Sequence, residues 1–142
     1  MIRALRTIGR RERINLPDLG AYGIEAKVDT GAFRTAIHCL SFEEQEREGR
    51  KILAATFDLD GHSNRTVYFT EYKLRWIRNS FGSSEERYCV SVVLTLGRKR
   101  IRSNVSLSNR SGMKYQVLIG RKTIGKKFLV DVSRIFASSR HH

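Results

Sequence analysis

The chain has 142 residues, 40% of them apolar, and its 27 Lys and Arg against 14 Asp and Glu give a formal charge of +13. That length suits one domain with a modest core of its own, expected over residues 1–140. No apolar run approaches the ~20 residues a membrane helix needs, and Cys39 and Cys89 fit no disulfide framework. With no apolar signal segment at the N-terminus, the expected setting is reducing and cytoplasmic, away from any membrane. The charge is uneven: residues 1–86 hold 14 basic and 13 acidic side chains, whereas 87–142 hold 13 basic ones and Asp131 alone. That asymmetry reads either as a solvated basic surface or as a patch for nucleic acid or an acidic polypeptide.

In chain order, residues 2–16 alternate apolar and charged positions, predicting one or two half-buried strands broken near Gly9. Pro17-Asp18-Leu19-Gly20 is a turn, Tyr22 to Val28 a strand, and Thr35 to Leu40 extended chain. Ser41 to Arg50 is the best helix candidate of the first half, with Ser41 as cap, acids in the first turn and Gly49 as stop; its shortness and polarity leave a loop open as well. Lys51 to Leu59 and Arg65 to Phe69 predict a hairpin around Asp60-Gly61-His62-Ser63-Asn64. Tyr72 to Ile77 is a short strand, and 79–86 is small, polar and rich in breakers. Tyr88 to Leu96 and Lys99 to Leu107 predict a hairpin turned at Gly97-Arg98. Asn109 to Tyr115 is a loop, Val117 to Ile119 a buried strand, Gly120 to Lys126 a helical turn and Phe128 to Val132 a last strand. Short, closely spaced strands with little helix predict a mostly-β, barrel-like domain.

Two stretches carry chemistry. Ala26 to Val28 delivers Asp29 into Thr30-Gly31-Ala32, where Gly31 can take positive φ and the Thr30 hydroxyl can brace the turn, leaving a carboxylate at the tip of a strand. Val117-Leu118-Ile119-Gly120-Arg121 follows far downstream. Together they resemble the retropepsins, aspartic proteases of the retroviral type, in which an apolar-apolar-Gly segment lies beneath the Asp-Thr-Gly loop. The resemblance implies a closed β-barrel with one lobe per chain. A two-lobed enzyme carries two aspartate loops, and here there is one, so the implied enzyme is a homodimer with Asp29 from each chain as the catalytic dyad. Thr30, Gly31 and Ala32 then support the loop, Leu118, Ile119 and Gly120 lie under it, and the loop around Phe81-Gly82-Ser83-Ser84 matches the flap by its order.

A closer match is to a bacterial family labelled ATP-dependent zinc protease or RimK-related, through Ile8 to Glu12, Ala26 to Ala32, Glu86-Arg87-Tyr88, Asn109-Arg110-Ser111, Met113-Lys114-Tyr115 and Leu118 to Arg121. It implies an association with an ATP-grasp ligase, and it marks Arg87 and Arg110, with Arg121, as candidate substrate-binding residues that would grip a peptide carboxylate. The bland alternative pairs Arg87 with a local acid such as Glu86. Neither zinc nor ATP is expected. The chain has no His-Glu-x-x-His, Cys-x-x-Cys or complete phosphate loop, and its soft ligands are His38, Cys39, His62 and Cys89, with His38 read as a packed residue behind the loop. Trp76 and Phe81 read as core or loop packing. In viral retropepsins an acid follows Asp-Thr-Gly-Ala and pairs with the arginine after apolar-apolar-Gly; here Phe33 and Arg34 occupy that place. The expected substrate is a peptide or acidic, glutamate-rich polypeptide. The rival reading is a weak or inactive barrel used as a basic binding module, with nucleic acid supported by charge alone.

Overall fold

The computed structural model describes residues 5–61, 63–78 and 81–138. Twelve strands follow in order: β1 (Arg6–Ile8), β2 (Arg11–Leu16), β3 (Ala21–Val28), β4 (Thr35–His38), β5 (Ser41–Arg47), β6 (Arg50–Phe57), β7 (Arg65–Phe69), β8 (Lys73–Arg78), β9 (Ser84–Leu96), β10 (Lys99–Ser108), β11 (Val117–Ile119) and β12 (Phe128–Val130). The helical content is a 3-10 turn at Pro17–Leu19 and one turn of helix, α1 (Arg121–Ile124).

Six strands close a barrel in the order β10-β4-β11-β3-β2-β9, with β9 pairing back onto β10. Closure leaves no free edge within the ring. The inward positions recur with the two-residue period of a strand: Val90, Val92, Leu94 and Leu96 on β9 face Ile101, Val105 and Leu107 from β10. Ser103 keeps that phase but is polar. It joins Thr35 and Thr123 in a buried hydroxyl chain, with Thr35 Oγ1 at 2.6 Å and Ser103 Oγ at 3.2 Å from Thr123 Oγ1. This chain ties α1 to the barrel wall.

Outside the ring, β8 extends from β9 as the outer arm of a hairpin, and β5-β6-β7 form a second sheet. Leu53, Ala55 and Phe57 of β6 belong to the main core. The expected helix at Ser41 to Arg50 is instead β5 and the start of β6. Glu48 and Gly49, with φ of 51° and 77°, form a two-residue turn between the paired Arg47 and Arg50. Two successive positive φ values are the geometry of a tight hairpin turn, so Gly49 turns a strand rather than stopping a helix. Glu44 then accepts hydrogen bonds from Tyr72 (2.9 Å) and Tyr88 (3.0 Å), binding this hairpin to the β8–β9 arm.

The two ends of the chain meet. β1 pairs in parallel with β12, and the segment after β12 returns over β2 through Arg10 N–H to Arg134 O and Phe136 N–H to Arg11 O. Glu12 lies fully buried beneath it and accepts from the backbone N–H groups of Gly9 (2.6 Å) and Ala137 (2.8 Å) and from Ser138. A carboxylate with that many donors is a built anchor rather than a stranded charge. No helix among the described residues is long and apolar enough to cross a membrane.

Candidate active site

β11 decides where Asp29 sits. It runs parallel to β3 and antiparallel to β4, wedged between the strand that enters the Asp-Thr-Gly loop and the strand that leaves it. Asp29 N–H donates to Ile119 O (2.9 Å), while Arg121 and Lys122 N–H donate to Ala32 O (2.8 Å) and Phe33 O (2.9 Å). Gly120 is buried under this loop, and a Cβ there would lie 2.5 Å from the carbonyl carbon and oxygen of Arg34. Only glycine allows the two backbones to approach that closely. Gly120 N–H in turn donates to Thr35 Oγ1 (3.1 Å). Leu118, Ile119 and Gly120 therefore support the loop from below.

The turn itself differs from the expectation in two respects. Gly31 does not take positive φ. Its N–H donates to Asp29 Oδ1 (3.0 Å), and an added Cβ would lie 3.3 Å from that oxygen, so glycine makes room for the carboxylate. The Thr30 hydroxyl does not brace the turn within this chain. Ala32 N–H to Asp29 O (3.2 Å) closes it, and the exposed Thr30 side chain makes no hydrogen bond among the described residues.

Asp29, Gly31 and Ala32 open into a cleft of about 960 Å³ bounded by β8, the start of β9, the end of β10 and the 109–113 loop. The β8–β9 hairpin, whose connection matches a flap by its order, borders this cleft; Phe81 to Ser84 are described, whereas Asn79 and Ser80 of its connection lie outside the described residues. Trp76 and Phe81 are not core: they are 70% and 94% exposed and line the cleft. Phe33, Arg34, Phe42, Arg78 and Met113 line it too, none of them among the candidate site residues read from the sequence. Arg78 could have been found by counting two residues on from Trp76 along a strand.

The three candidate arginines all border the cleft but differ in state. Arg87 is engaged by Glu85, through Nε at 2.8 Å and a short contact from Nη2, rather than by Glu86. Arg121 Nη1 donates to Thr30 O (3.0 Å) and so steadies the aspartate loop. Arg110 is half-buried, its Nε donates to Tyr115 O (3.1 Å), and it makes no ion pair among the described residues. Burial and the nearby Arg87 push its pKa below the ordinary arginine value, and Asp29 partly offsets them. A desolvated cation beside a like charge is stabilised by an incoming anion.

Of the soft ligands, His38 is buried behind the loop with both ring nitrogens engaged, as detailed below. Burial pushes the Cys39 thiol up to about 11 and raises that of Cys89. Both thiols are free, and His62 lies outside the described residues. The described residues contain no group of three or more His, Cys, Asp or Glu gathered as a metal site.

A family model described as retropepsin-like aspartic endopeptidase RimB matches residues 7–141. Among curated proteins, the chain is 34% identical over 132 residues to a probable alpha-L-glutamate ligase of Shewanella pealeana. It is 30% identical over 131 residues to another of Desulfotalea psychrophila. These alignments cover 91% and 90% of this chain but 29% and 28% of those proteins, so the chain spans under a third of the curated relatives it matches. A solved structure of a protein of unknown function (DUF785) from Legionella pneumophila superposes with a TM-score of 0.78 at 26% identity, covering 96% of this chain and 100% of that one. A six-stranded barrel closed over one Asp-Thr-Gly loop and a family match spanning nearly the whole sequence have one meaning: the chain belongs to the RimB-like family of retropepsin-like aspartic endopeptidases.

Proposed function

We propose that two copies of this chain form an aspartic peptidase, one Asp29 from each, that cleaves peptide or amide bonds in acidic, glutamate-rich polypeptides in a reducing, cytoplasmic setting. The observation that carries the reading is the half-exposed Asp29 loop opening into the same cleft as Arg110, which makes no ion pair among the described residues. Two carboxylates held together cannot both ionise, so the pair shares one proton. The ionised Asp29 takes a proton from a water as it attacks the scissile carbonyl carbon, while the protonated Asp29 of the partner subunit hydrogen-bonds the carbonyl oxygen. Collapse of the tetrahedral species breaks the C–N bond, and the leaving nitrogen takes the proton. Exposure of Thr30, whose hydroxyl makes no hydrogen bond among the described residues, fits a loop braced by its copy.

The acidic preference rests on charge. Arg34, Arg78, Arg110 and Arg121 line the cleft beside the Glu85-bound Arg87, against Asp29 and Glu86. The name of the curated relatives, probable alpha-L-glutamate ligase, supports glutamate chemistry; association with an ATP-grasp ligase is part of the same proposal. A second reading, a non-catalytic binder of acidic ligands, is favoured by a groove on β1, β2 and the β9–β10 turn lined by Arg6, Arg13, Arg98 and Arg134 and by no acid.

Asp29→Asn separates the two. It keeps side-chain size but removes the general base and the shared proton, so hydrolysis of oligoglutamate and general peptide libraries should fall by about three orders of magnitude or more, with the melting temperature equal or slightly higher. Light scattering at physiological salt, where screening acts within ~8 Å, should give twice the chain mass. Undiminished hydrolysis by the pure variant would refute the aspartic mechanism, and a strict monomer would refute the shared site. A wild type that binds oligoglutamate but cleaves nothing would establish the second reading.

A further inference from the structure

His38 is a buried titratable residue that the peptidase mechanism leaves unused. It ends β4, is 1% exposed, and sits between the end of β6 and the loop that carries Arg110. Its Nδ1 accepts the backbone N–H of Arg110 at 2.8 Å. Its Nε2 lies 2.9 Å from Asp58 Oδ1, close enough for an ion-pair contact, and that buried oxygen has no aligned hydrogen-bond donor among the described residues.

The two contacts fix the tautomer. Nδ1 faces an N–H group, so it must present a lone pair, and the single ring proton of the neutral imidazole then sits on Nε2, facing a carboxylate. Either change of protonation at Nδ1 would set two N–H groups against each other. The imidazole thus holds the backbone of Arg110, Tyr115 O holds its Nε, and the turn from Arg110 O to Met113 N–H (2.9 Å) completes the loop. The terminal guanidinium nitrogens make no hydrogen bond or ion pair among the described residues, and Arg110 borders the cleft where an anion could meet them.

We propose that His38 and Asp58 are positioning residues for Arg110: the Asp58 carboxylate sets the His38 tautomer, and His38 sets the backbone from which Arg110 reaches a substrate carboxylate. Neither touches substrate or the reacting atoms. The inference rests on the reading of Arg110 as the carboxylate receptor, and the test keeps the two apart.

Binding of a fluorescent oligoglutamate peptide is measured on the 142-residue chain carrying Asp29→Asn, so that nothing is cleaved. In this background Arg110→Ala should weaken binding about 10- to 100-fold, the range for a hydrogen-bonded charge. His38→Asn places an oxygen near the position of Nδ1 and keeps the acceptor for Arg110; His38→Gln reaches the Nε2 position and loses it. The expected result is near-normal binding for His38→Asn, about 3- to 10-fold weaker binding for His38→Gln, and no further loss when His38→Gln is added to Arg110→Ala. Asp58→Ala should behave like His38→Gln, because an imidazole without that carboxylate is free to move its proton to Nδ1. A packing role predicts the opposite order, since Gln fills the volume of His better than Asn does. Equal effects of Asn and Gln, or full additivity with Arg110→Ala, would overturn the proposal. No effect of Arg110→Ala would overturn the carboxylate-receptor reading itself. Nitrogen-15 NMR of the unsubstituted protein reads the tautomer without any variant or ligand: a protonated Nδ1 at neutral pH would overturn the geometry, and a lone pair there supports it.

Discussion

Gly120→Ala tests whether β11 positions the aspartate loop by backbone contact. The added methyl would sit 2.5 Å from the carbonyl carbon and oxygen of Arg34 and 2.9 Å from its nitrogen. Non-bonded carbon contacts settle at about 3.5–4.0 Å, so the two backbones must part by roughly 1 Å. No flexible side chain can absorb that movement, because every atom met is main chain. The strain falls on three bonds around the clash, from Gly120 N–H to Thr35 Oγ1 and from Arg121 and Lys122 N–H to Ala32 and Phe33 O. Overpacking of this kind costs about 1–3 kcal/mol, which for a chain of this length lowers the melting temperature by roughly 4–12 °C. Asp29 should move as well, since its N–H bonds the residue next to Gly120. Thermal unfolding and hydrogen exchange at the Arg121 and Lys122 amides together make the assay. Melting within about 1 °C of wild type, roughly a quarter of a kcal/mol at this size, with both amides equally protected, would show that β11 is not what holds the loop.

Thr123→Val removes the centre of the buried hydroxyl chain and leaves Thr35 and Ser103 one partner short. Chemical denaturation should show a loss of about 1–3 kcal/mol. Glu44 has a pKa held below its ordinary 4.5, chiefly by hydrogen bonds from Tyr72 and then Tyr88. A depressed carboxylate contributes stability that is present above the unfolded value and lost as pH falls through the folded one; melting curves should therefore fall less steeply below 4.5 in Glu44→Gln than in wild type. The groove of Arg6, Arg13, Arg98 and Arg134 should bind polyanions through charge, so affinity measured by fluorescence anisotropy should drop steeply with salt and show little sequence preference in RNA; salt-insensitive binding would mean another mode of contact.

The barrel was legible where sequence and strand chemistry agree. β3, β9, β10 and β11 carry apolar residues at strand spacing, and Gly97-Arg98 lies between the paired Leu96 and Lys99 as turn residues should. β5 was not legible, because six of its seven residues are polar and all but Gln45 are exposed, so no apolar alternation marks it. Its pairing with β6 and the Glu44 contacts to Tyr72 and Tyr88 come from residues distant in the chain. The same applies at the site. Asp29 and the Leu118 to Gly120 support could be read from two short motifs, whereas the Asp58 contact to His38 depends on how β4 and β6 lie together. Local composition does not encode that meeting.

Phe33 brings the cleft's chemistry into focus. In the retroviral pattern an acid at this place holds the arginine after apolar-apolar-Gly and receives substrate backbone. Here Arg121 bonds Thr30 O instead, and the Phe33 ring draws the charged ends of Arg34 (5.5 Å), Arg121 (5.9 Å) and Lys122 (5.9 Å) around it. A ring face attracts cations through its quadrupole but leaves their charge uncancelled, whereas a carboxylate would cancel it. One residue thus gathers the cations an acid would have gathered and turns that wall of the cleft positive. Substrate N–H groups lose an acceptor at this wall, and substrate carboxylates gain donors. In the proposed peptidase, selection accordingly moves from the main chain of the substrate to its side chains, and Arg110 and the Phe33 cluster approach it from different elements, the 109–113 loop and the aspartate loop with α1.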